Sequence, residues 1–403
     1  MSIYLDYQAT SPMPQAVKNA YLEAMDITGN PSSLHQGGRA SRALLEDARE
    51  RIAAIVDCHP VEVIFTSGGT EAINTALKGR VWAHQRAHGA TAPTAIASTY
   101  AEHHATLDAL WWLRDQEGTT VHEIAVDSLG VMDLESLEAI LVTQPITMIT
   151  SLVANNEVGS IQPVAEMVAM GKSHGVPVHV DAVAALGYLP LSFRDLGMES
   201  MSLSAHKVGG PVGVGALVLS RHALDMQALH HGGSQQRVRS GTMDVAGAVA
   251  FATALEVRKA VRETEQDTLI ALRDRLREGL LALAPQCVAR GSLHHRLPGN
   301  LHLTVPGCTG DVLLYLFDEH GIHASTGSAC QAGVPEPSHV LLSMGVPVED
   351  AWGAIRLSLS YATTAEDIEH VIDVFPDVVE RGTKAGMSKK TKRQVRPPCT
   401  LSR

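Results

Sequence analysis

The chain of 403 residues carries a formal net charge of −11, with 45% apolar and 4% aromatic residues. This apolar fraction is typical of a globular protein rather than a disordered chain, and the length predicts two or three packed units. The negative charge argues against general nucleic-acid binding, because phosphate contacts need a basic surface.

Membrane, secreted and metal-binding classes are also disfavoured. The N-terminus lacks a basic region followed by an apolar stretch, and no segment reaches the roughly 20 apolar residues of a membrane span. The five cysteines are widely spaced and form no C-x-x-C pair. This spacing favours neither a disulfide framework nor a zinc site. We therefore expect a cytoplasmic protein with no metal and no membrane partner.

Strand and helix patterns alternate along the first 220 residues. Apolar residues at helical spacing predict a helix over 40–56, followed by a strand at 61–66, a glycine turn at 67–69 and a helix from near Thr70. Further strand patterns follow at 94–100, 146–153, 176–182 and 213–220. Alternating strands and helices predict an α/β fold with a large, doubly wound, mainly parallel sheet.

The pattern changes after about residue 250. A long charged helix, roughly 250–283, leads into strand patterns at 298–305 and 354–361, with helices at 310–321 and 365–380. We predict a large domain over 15–255. The smaller α+β domain comprises 1–14 and 256–380.

The last segment, 381–403, differs in charge from the rest. It contains eight Lys/Arg and no acid, so residues 1–380, with 24 basic and 43 acidic side chains, carry −19. With almost no large apolar residue, this basic tail is predicted to be disordered. It is either a solvated end or a docking arm for an acidic partner or nucleic acid.

Three features of the large domain match the anchors of pyridoxal 5′-phosphate. The turn around Gly69 and Thr70 joins a strand to a helix and can bind a phosphate. Asp181 ends a strand, where open α/β sheets bind ligands, and a carboxylate there can pair with a ring N–H. Lys207 follows an uncharged strand among Gly, Ser and His, which favours a desolvated amine. Each alone has an ordinary structural explanation, but together they indicate this cofactor.

Three further residues have unusual surroundings. Cys330 lies among small residues in STGSACQAG, where a thiol can be reached by a reaction partner. Arg356 lies within an apolar strand and needs an anionic partner, either a substrate carboxylate or a structural acid. His103 lies at a strand-to-helix junction and could stack on a flat cofactor and, as a catalytic residue beside Lys207, move protons. No histidine pair has the helical spacing of a metal site.

The chain resembles the cysteine desulfurases of the NifS/IscS type, which are class V aminotransferase-like, fold type I PLP enzymes. The resemblance covers nearly all of the chain outside the basic tail. The motifs that carry it are GNPSSLH (29–35), FTSGGTEAIN (65–74), AEHHATL (101–107), ANNEVG (154–159), HVDA (179–182), SAHKVGGP (204–211), RSGT (239–242), STGSAC (325–330) and IRLSLS (355–360).

The resemblance implies a role for each matching residue. Lys207 would bind the cofactor covalently, His103 would stack on its ring and Asp181 would pair with its ring nitrogen. Asn156 would contact both cofactor and substrate, and Arg356 would bind the substrate carboxylate. Cys330 would accept the sulfur. The phosphate would be held by Gly69, Thr70, Ser204 and His206, and by Thr242 from the second subunit of a homodimer.

Four positions depart from the family pattern. Ala184 stands where a glutamine usually donates to the cofactor's phenolic oxygen, and alanine has no donor. The other departures are Gln236 for Glu, Ser234 for Gly and Ser360 for Gly. These departures indicate a diverged member.

The hypothesis is a PLP-dependent cysteine desulfurase that converts L-cysteine to L-alanine and leaves a persulfide on Cys330. The sulfur would pass to an acceptor or scaffold protein for iron–sulfur clusters, thiolated tRNA or a dedicated thio-pathway. A selenocysteine lyase or another class V enzyme is an alternative with the same fold. A weakly catalytic, PLP-containing sulfur-transfer scaffold is a second alternative, supported only by Ala184.

Overall fold

A computed structural model of the chain describes residues 2–233, 236–327 and 336–389. In these ranges the strands are β1 (Ile3–Tyr4), β2 (Val63–Thr66), β3 (Ala95–Thr99), β4 (Thr120–Ile124), β5 (Met148–Leu152), β6 (Val178–Asp181), β7 (Ser200–Ser204), β8 (Gly215–Leu219), β9 (Val288–Arg290), β10 (Asn300–Thr304), β11 (Ile322–His323) and β12 (Ala354–Ser358).

The helices alternate with most of the strands along the chain. They are α1 (Gln15–Met25), α2 (Gln36–Val56), α3 (Gly69–His88), α4 (His104–Glu117), α5 (Leu134–Thr143), α6 (Val164–Ser173), α7 (Phe193–Leu196), α8 (Val245–Leu283), α9 (Gly310–Glu319), α10 (His339–Ser343), α11 (Val348–Ala351) and α12 (Ala365–Lys389).

A large sheet is formed in the order β2-β8-β7-β6-β5-β3-β4. The neighbours from β7 to β4 run parallel, whereas β8 is antiparallel to both β7 and β2. The predicted α/β class and mainly parallel sheet are therefore confirmed. Because β2 has the same direction as β7, the carboxyl ends of β2, β3, β5, β6 and β7 lie at one edge.

A smaller antiparallel sheet, β12-β10-β9, forms the second layer, and β1 pairs with β11 beside it. The helix α8 is continuous for 39 residues and joins the two regions. In the first half of α8, Glu256 pairs with Arg51 of α2. In its second half, Arg275 pairs with Glu369 of α12. The predicted boundary at residue 255 falls inside this helix, so the division into two domains stays a prediction.

The central strands of the large sheet are buried but contain polar residues. His179 of β6 has no exposed surface, and its two ring nitrogens lie 2.8 and 3.1 Å from the hydroxyls of Ser200 and Ser202. Burial lowers the pKa of His179 to about 3, so it is a neutral core histidine. Such satisfied polar pairs allow a buried strand without a continuous apolar run.

The prediction of disorder from residue 381 is wrong for residues 381–389, which continue α12. Arg381 forms ion pairs with Glu319 at 2.5 Å and with Asp377 at 3.2 Å, one helical turn earlier. The basic residues therefore find acidic partners on neighbouring turns and on α9, which composition alone did not reveal. Residues 390–403 lie outside the described residues. Within the described helices, none is long and apolar enough to cross a membrane.

Gln236 holds the edge strand β2 from outside the sheet. Its Oε1 accepts from the main-chain N–H of Phe65 at 2.8 Å, and its Nε2 donates to the carbonyl of Phe65 at 3.0 Å. The amide thus replaces a neighbouring strand at this point. A glutamate at this position would offer no amide N–H to the carbonyl.

We predict that Gln236→Ala lowers the free energy of unfolding by about 1–3 kcal/mol, because two main-chain groups lose their partner. Urea unfolding of the cofactor-free protein measures the change. Gln116→Ala, at an exposed position of α4, is the matched control and should change the stability little. Equal stability of the two variants would contradict the assigned role of Gln236.

Candidate active site

The carboxyl edge of the large sheet brings together most of the predicted site residues. His103 follows β3, Asn156 follows β5, Asp181 ends β6, and Ser204 ends β7 three residues before Lys207. Open α/β sheets bind ligands at this edge, because the loops there converge on one crevice. The topology therefore makes neighbours of residues up to 104 positions apart in sequence.

Lys207 lies in a 3-10 turn, Ala205–Val208. Its Nζ donates to the carbonyls of Gln8 at 2.7 Å and Ala9 at 3.1 Å. Burial, together with the positive charge of Arg356, lowers the pKa of Lys207 to about 8. About a tenth of the amine is thus deprotonated at pH 7, and this neutral fraction is the nucleophile.

Asp181 is 3% exposed, and its Oδ1 accepts from the main-chain N–H of Val183 at 2.9 Å. Burial raises the pKa of Asp181 to about 6, although this hydrogen bond and the charge of Lys207 act in the opposite direction. The carboxyl group is therefore mostly ionised at pH 7 and can pair with a cationic ring N–H.

A second buried carboxyl group, Glu102, was not singled out from the sequence. It is 1% exposed, its Oε1 accepts from the hydroxyl of Thr99 at 2.8 Å, and its Oε2 has no hydrogen-bond partner in the described chain. Burial raises the pKa of Glu102 to about 8, with a further contribution from the charge of Asp181. Glu102 is therefore mainly protonated at neutral pH, next to His103.

Two histidines near Lys207 are neutral. The Nδ1 of His103 caps α4 by accepting from the main-chain N–H of Ala105 at 3.0 Å, and its ring remains accessible to solvent. The Nδ1 of His206 lies 3.4 Å from the hydroxyl of Thr10. Partial desolvation by neighbouring protein atoms and the charge of Lys207 lower the pKa of each histidine to about 4. The proton of neutral His103 is consequently assigned to Nε2.

The predicted phosphate turn lies at the start of α3. A Cβ at Gly69 would stand 2.8 Å from Cγ2 of Val183, so only glycine permits this approach to the turn after Asp181. Thr70 is exposed in the first turn of α3. The Oε2 of Glu71 accepts from the main-chain N–H of Ser67 at 2.7 Å, which fixes the turn.

Arg356 lies on β12 and is 4% exposed. Its Nη2 donates to Oδ1 of Asp6 and its Nη1 to the carbonyl of Asn156, both at 2.8 Å. Its Nε and the side-chain Oδ1 of Asn156 are buried and have no partner among the described residues. Asp6, within the motif YLDYQATSP, is thus a structural acid that the sequence did not assign to Arg356.

For two of the predicted site residues, Cys330 and Thr242, the described chain shows no hydrogen bond to the other site residues. Cys330 lies outside the described residues, but the preceding Ser325 pairs with Arg356 through main-chain hydrogen bonds of 3.1 and 2.6 Å. Thr242 is exposed in the segment before α8, one residue after Gly241 with φ of +115°. Ala184 is partly exposed in the turn after β6 and provides only a methyl group.

These residues fit pyridoxal phosphate. An amine, a buried carboxylate and a glycine turn lie at one sheet edge, and the close approach at Gly69 and the unpartnered Oδ1 of Asn156 belong to the same edge. Among the described residues, no group of three His, Cys, Asp or Glu side chains could hold a metal ion.

We predict that Glu102→Gln removes a pH dependence of stability. Since the folded-state pKa of Glu102 is raised to about 8, folding takes up a proton, and this stabilising contribution is lost as the pH rises towards 8. In cofactor-free protein, the free energy of unfolding of Glu102→Gln relative to that of the parent should therefore increase as the pH rises from about 5 to 8. Unfolding curves at several pH values measure the difference, and a constant difference would contradict a protonated Glu102.

Comparisons with known proteins show the family of the chain. The profile of the family described as aminotransferase class-V matches residues 3–371. An IscS-like cysteine desulfurase of Mycobacterium tuberculosis is 43% identical over 387 residues, covering 96% of this chain and 98% of the relative. Cysteine desulfurase IscS of Methanosarcina thermophila is 39% identical, covering 94% and 92%.

A solved structure titled NifS-like protein superposes with a TM-score of 0.86 at 32% identity, covering 94% of this chain and 100% of that one. The strand order, the lysine turn and the full-length similarity therefore converge on one assignment. The chain belongs to the aminotransferase class-V family and, within it, to the IscS-like cysteine desulfurases.

Proposed function

We propose that this chain transfers the sulfur of L-cysteine to Cys330 and releases L-alanine. The observation that carries the proposal is the main-chain pairing of Ser325 with Arg356. The chain that leads to Cys330 therefore begins beside Arg356, the arginine suited to bind the substrate carboxylate. The same arginine contributes to the lowered pKa of Lys207, so the amine of the large sheet and the carboxylate site of the small sheet act on each other.

Pyridoxal 5′-phosphate is the cofactor of this family, and when bound it acts as an electron sink for carbanions formed on the substrate. We assign its aldehyde to Lys207 and its ring nitrogen to Asp181, with His103 against the ring. Asn156 has an unpartnered amide oxygen that can contact cofactor and substrate. The phosphate would be held by Gly69, Thr70, Ser204, His206 and Thr242.

The chemistry balances without an external oxidant or reductant. The Cβ–Sγ bond of cysteine breaks, an S–S bond forms at Cys330, and a proton adds to Cβ, so that cysteine and the Cys330 thiol become alanine and a Cys330 persulfide. The transferred sulfur is formally oxidised while the carbon is reduced. The Cys330 thiolate is the attacking group, since a thiol is a poor nucleophile.

Proton transfer is assigned to Nζ of Lys207. With a pKa of about 8, this amine can both take and return a proton near neutral pH. His103 is neutral, and its Nδ1 is occupied by the main-chain N–H of Ala105. It therefore donates from Nε2 and would accept a proton only by releasing that hydrogen bond.

The substrate carboxylate is assigned to Arg356. Its Nη2 already binds Asp6, whereas its Nε is buried and lacks a partner among the described residues, so an anion at this position would satisfy it. The guanidinium is held in place by Asp6 and by the Asn156 carbonyl before substrate arrives. Pre-organisation of this kind limits the entropy lost on binding.

The persulfide would pass to an acceptor or scaffold protein for iron–sulfur clusters, thiolated tRNA or another thio-product, in the cytoplasm. The working unit would be a homodimer.

Selenocysteine lyase activity and transamination are distinguished by product analysis, since only transamination yields a keto acid. The methyl group of Ala184 remains the sole support for a weakly catalytic scaffold.

We expect Cys330→Ser to reduce alanine formation from cysteine to background, because a hydroxyl does not accept sulfur as a thiolate does. The absorption of the bound cofactor should persist. Cys399→Ser is the matched control and should retain parental activity. Undiminished alanine formation by the Cys330→Ser variant would sink the persulfide mechanism.

Mixed dimers test whether Thr242 acts across the subunit interface. Thr242→Asp places a negative charge beside the cofactor phosphate and should inactivate the homodimer, as should Lys207→Ala. A mixed dimer of one Thr242→Asp and one Lys207→Ala chain retains one intact site if Thr242 serves the partner. Recovered alanine formation is expected; an inactive mixed dimer would place Thr242 in its own subunit's site.

A further inference from the structure

Arg258 of α8 is a buried arginine that neither the sequence motifs nor the mechanism above uses. It is 8% exposed, and no ion pair joins it to a carboxylate within the described ranges. Its guanidinium instead hydrogen-bonds three neutral oxygens. Nε donates to the carbonyl of Val208 at 3.3 Å, Nη2 to the hydroxyl of Ser11 at 3.0 Å, and Nη1 to the hydroxyl of Ser360 at 3.2 Å.

Two of these contacts lead to Lys207. Val208 is the next residue in the chain, and the hydroxyl of Ser11 donates in turn to the carbonyl of Lys207 at 3.0 Å. Ser11 also belongs to the segment whose carbonyls, at Gln8 and Ala9, accept from the Lys207 amine. The guanidinium therefore fixes both the backbone of the lysine and the acceptors of its side chain.

The third contact leads to the smaller sheet. Ser360 follows β12, four residues after Arg356. Its hydroxyl, at a position where the family usually has glycine, is 4% exposed and receives the Nη1 hydrogen bond. One side chain of α8 thus joins the lysine turn of the large sheet to the strand that carries the carboxylate-binding arginine.

Two tyrosine rings complete the surroundings of Arg258. The guanidinium carbon lies 5.9 Å from the ring centre of Tyr188 and 5.5 Å from that of Tyr361. Aromatic faces stabilise a buried cation without fixing it in an ion pair. The planar fork of arginine matches three separate acceptors, whereas the point charge of lysine cannot reach them all.

We propose that Arg258 is a positioning residue that sets the lysine amine relative to Arg356. The inference rests on the proposed roles of Lys207 and Arg356, although the first measurement below requires neither cofactor nor turnover. If Arg258 loosens, more water reaches the Lys207 amine, which is otherwise partly buried against the Gln8 and Ala9 carbonyls.

The test measures Lys207 itself in cofactor-free protein. An amine-reactive acylating reagent is applied across a pH range, and mass spectrometry gives the labelling rate of Lys207 at each pH. The charged and titratable groups that act on this amine are Arg356, Asp181 and Asp6, together with the neutral rings of His103 and His206. Arg258→Lys keeps the charge at position 258, so a shift of the midpoint reports geometry.

In Arg258→Lys the labelling midpoint should rise by about one pH unit, because burial is the largest cause of the lowered pKa of Lys207. Cofactor uptake at about pH 7.5 should then slow by about tenfold and recover at higher pH, since one unit removes about nine-tenths of the neutral amine. Ser11→Ala should shift the labelling midpoint of Lys207 in the same direction by a smaller amount. This second variant tests the proposal if Arg258→Lys fails to fold.

Arg262→Lys is the matched control. Arg262 lies one turn further along α8 and donates to the carbonyl of Leu189 at 2.9 Å, away from the lysine turn. Arg262→Lys should leave the labelling midpoint of Lys207 unchanged. Ser360→Gly should shift the Lys207 midpoint less than Arg258→Lys does, while raising KM for cysteine more than it lowers kcat, because it frees only the Arg356 side.

A parental midpoint in both Arg258→Lys and Ser11→Ala would overturn the proposal, as would an equal shift in Arg262→Lys. Failure of the proposed function has a different signature. Alanine formation that does not depend on Cys330 would reject the sulfur-transfer mechanism and leave the labelling shift of Lys207 unaffected.

Discussion

Two cations from different sheets, Lys207 and Arg356, are held by acceptors of the same N-terminal segment. Burial and the positive charge of Arg356 both lower the pKa of Lys207. Asp6 pairs with Arg356, and the carbonyls of Gln8 and Ala9 accept from Lys207. This segment, residues 6–9, lies between the two sheets and holds each cation in place.

The same burial sets the protonation of the surrounding groups. Asp181 keeps a mostly ionised carboxylate because Lys207 and the main-chain N–H of Val183 offset part of the desolvation. Glu102 has a hydroxyl donor but no cation, so its pKa rises further, to about 8. Two carboxyl groups at one edge thereby differ in charge at pH 7, and the difference comes from partners rather than residue type.

Much of the fold followed from local patterns in the sequence. Strand and helix periodicity placed α2, α3 and the strands β3, β5 and β6 close to their observed positions, and the mainly parallel sheet followed from their alternation. Composition was a poorer guide at the C-terminal end, where ion pairs with α9 and within α12 keep residues 381–389 helical. Such pairs depend on which surfaces meet, so charge counts alone do not reveal them.

Motif order and strand-end positions in the sequence by themselves determined the fold class, the family and the identities of Lys207, Asp181 and Arg356 as candidates. Only the tertiary structure decided their partners. Asp6 reaches Arg356 across 350 positions, and Arg258 bridges Ser11, Val208 and Ser360 from the middle of a long helix. The physical reason is that desolvation and hydrogen bonding depend on distances in space, and no local periodicity records which distant oxygen will face a buried cation.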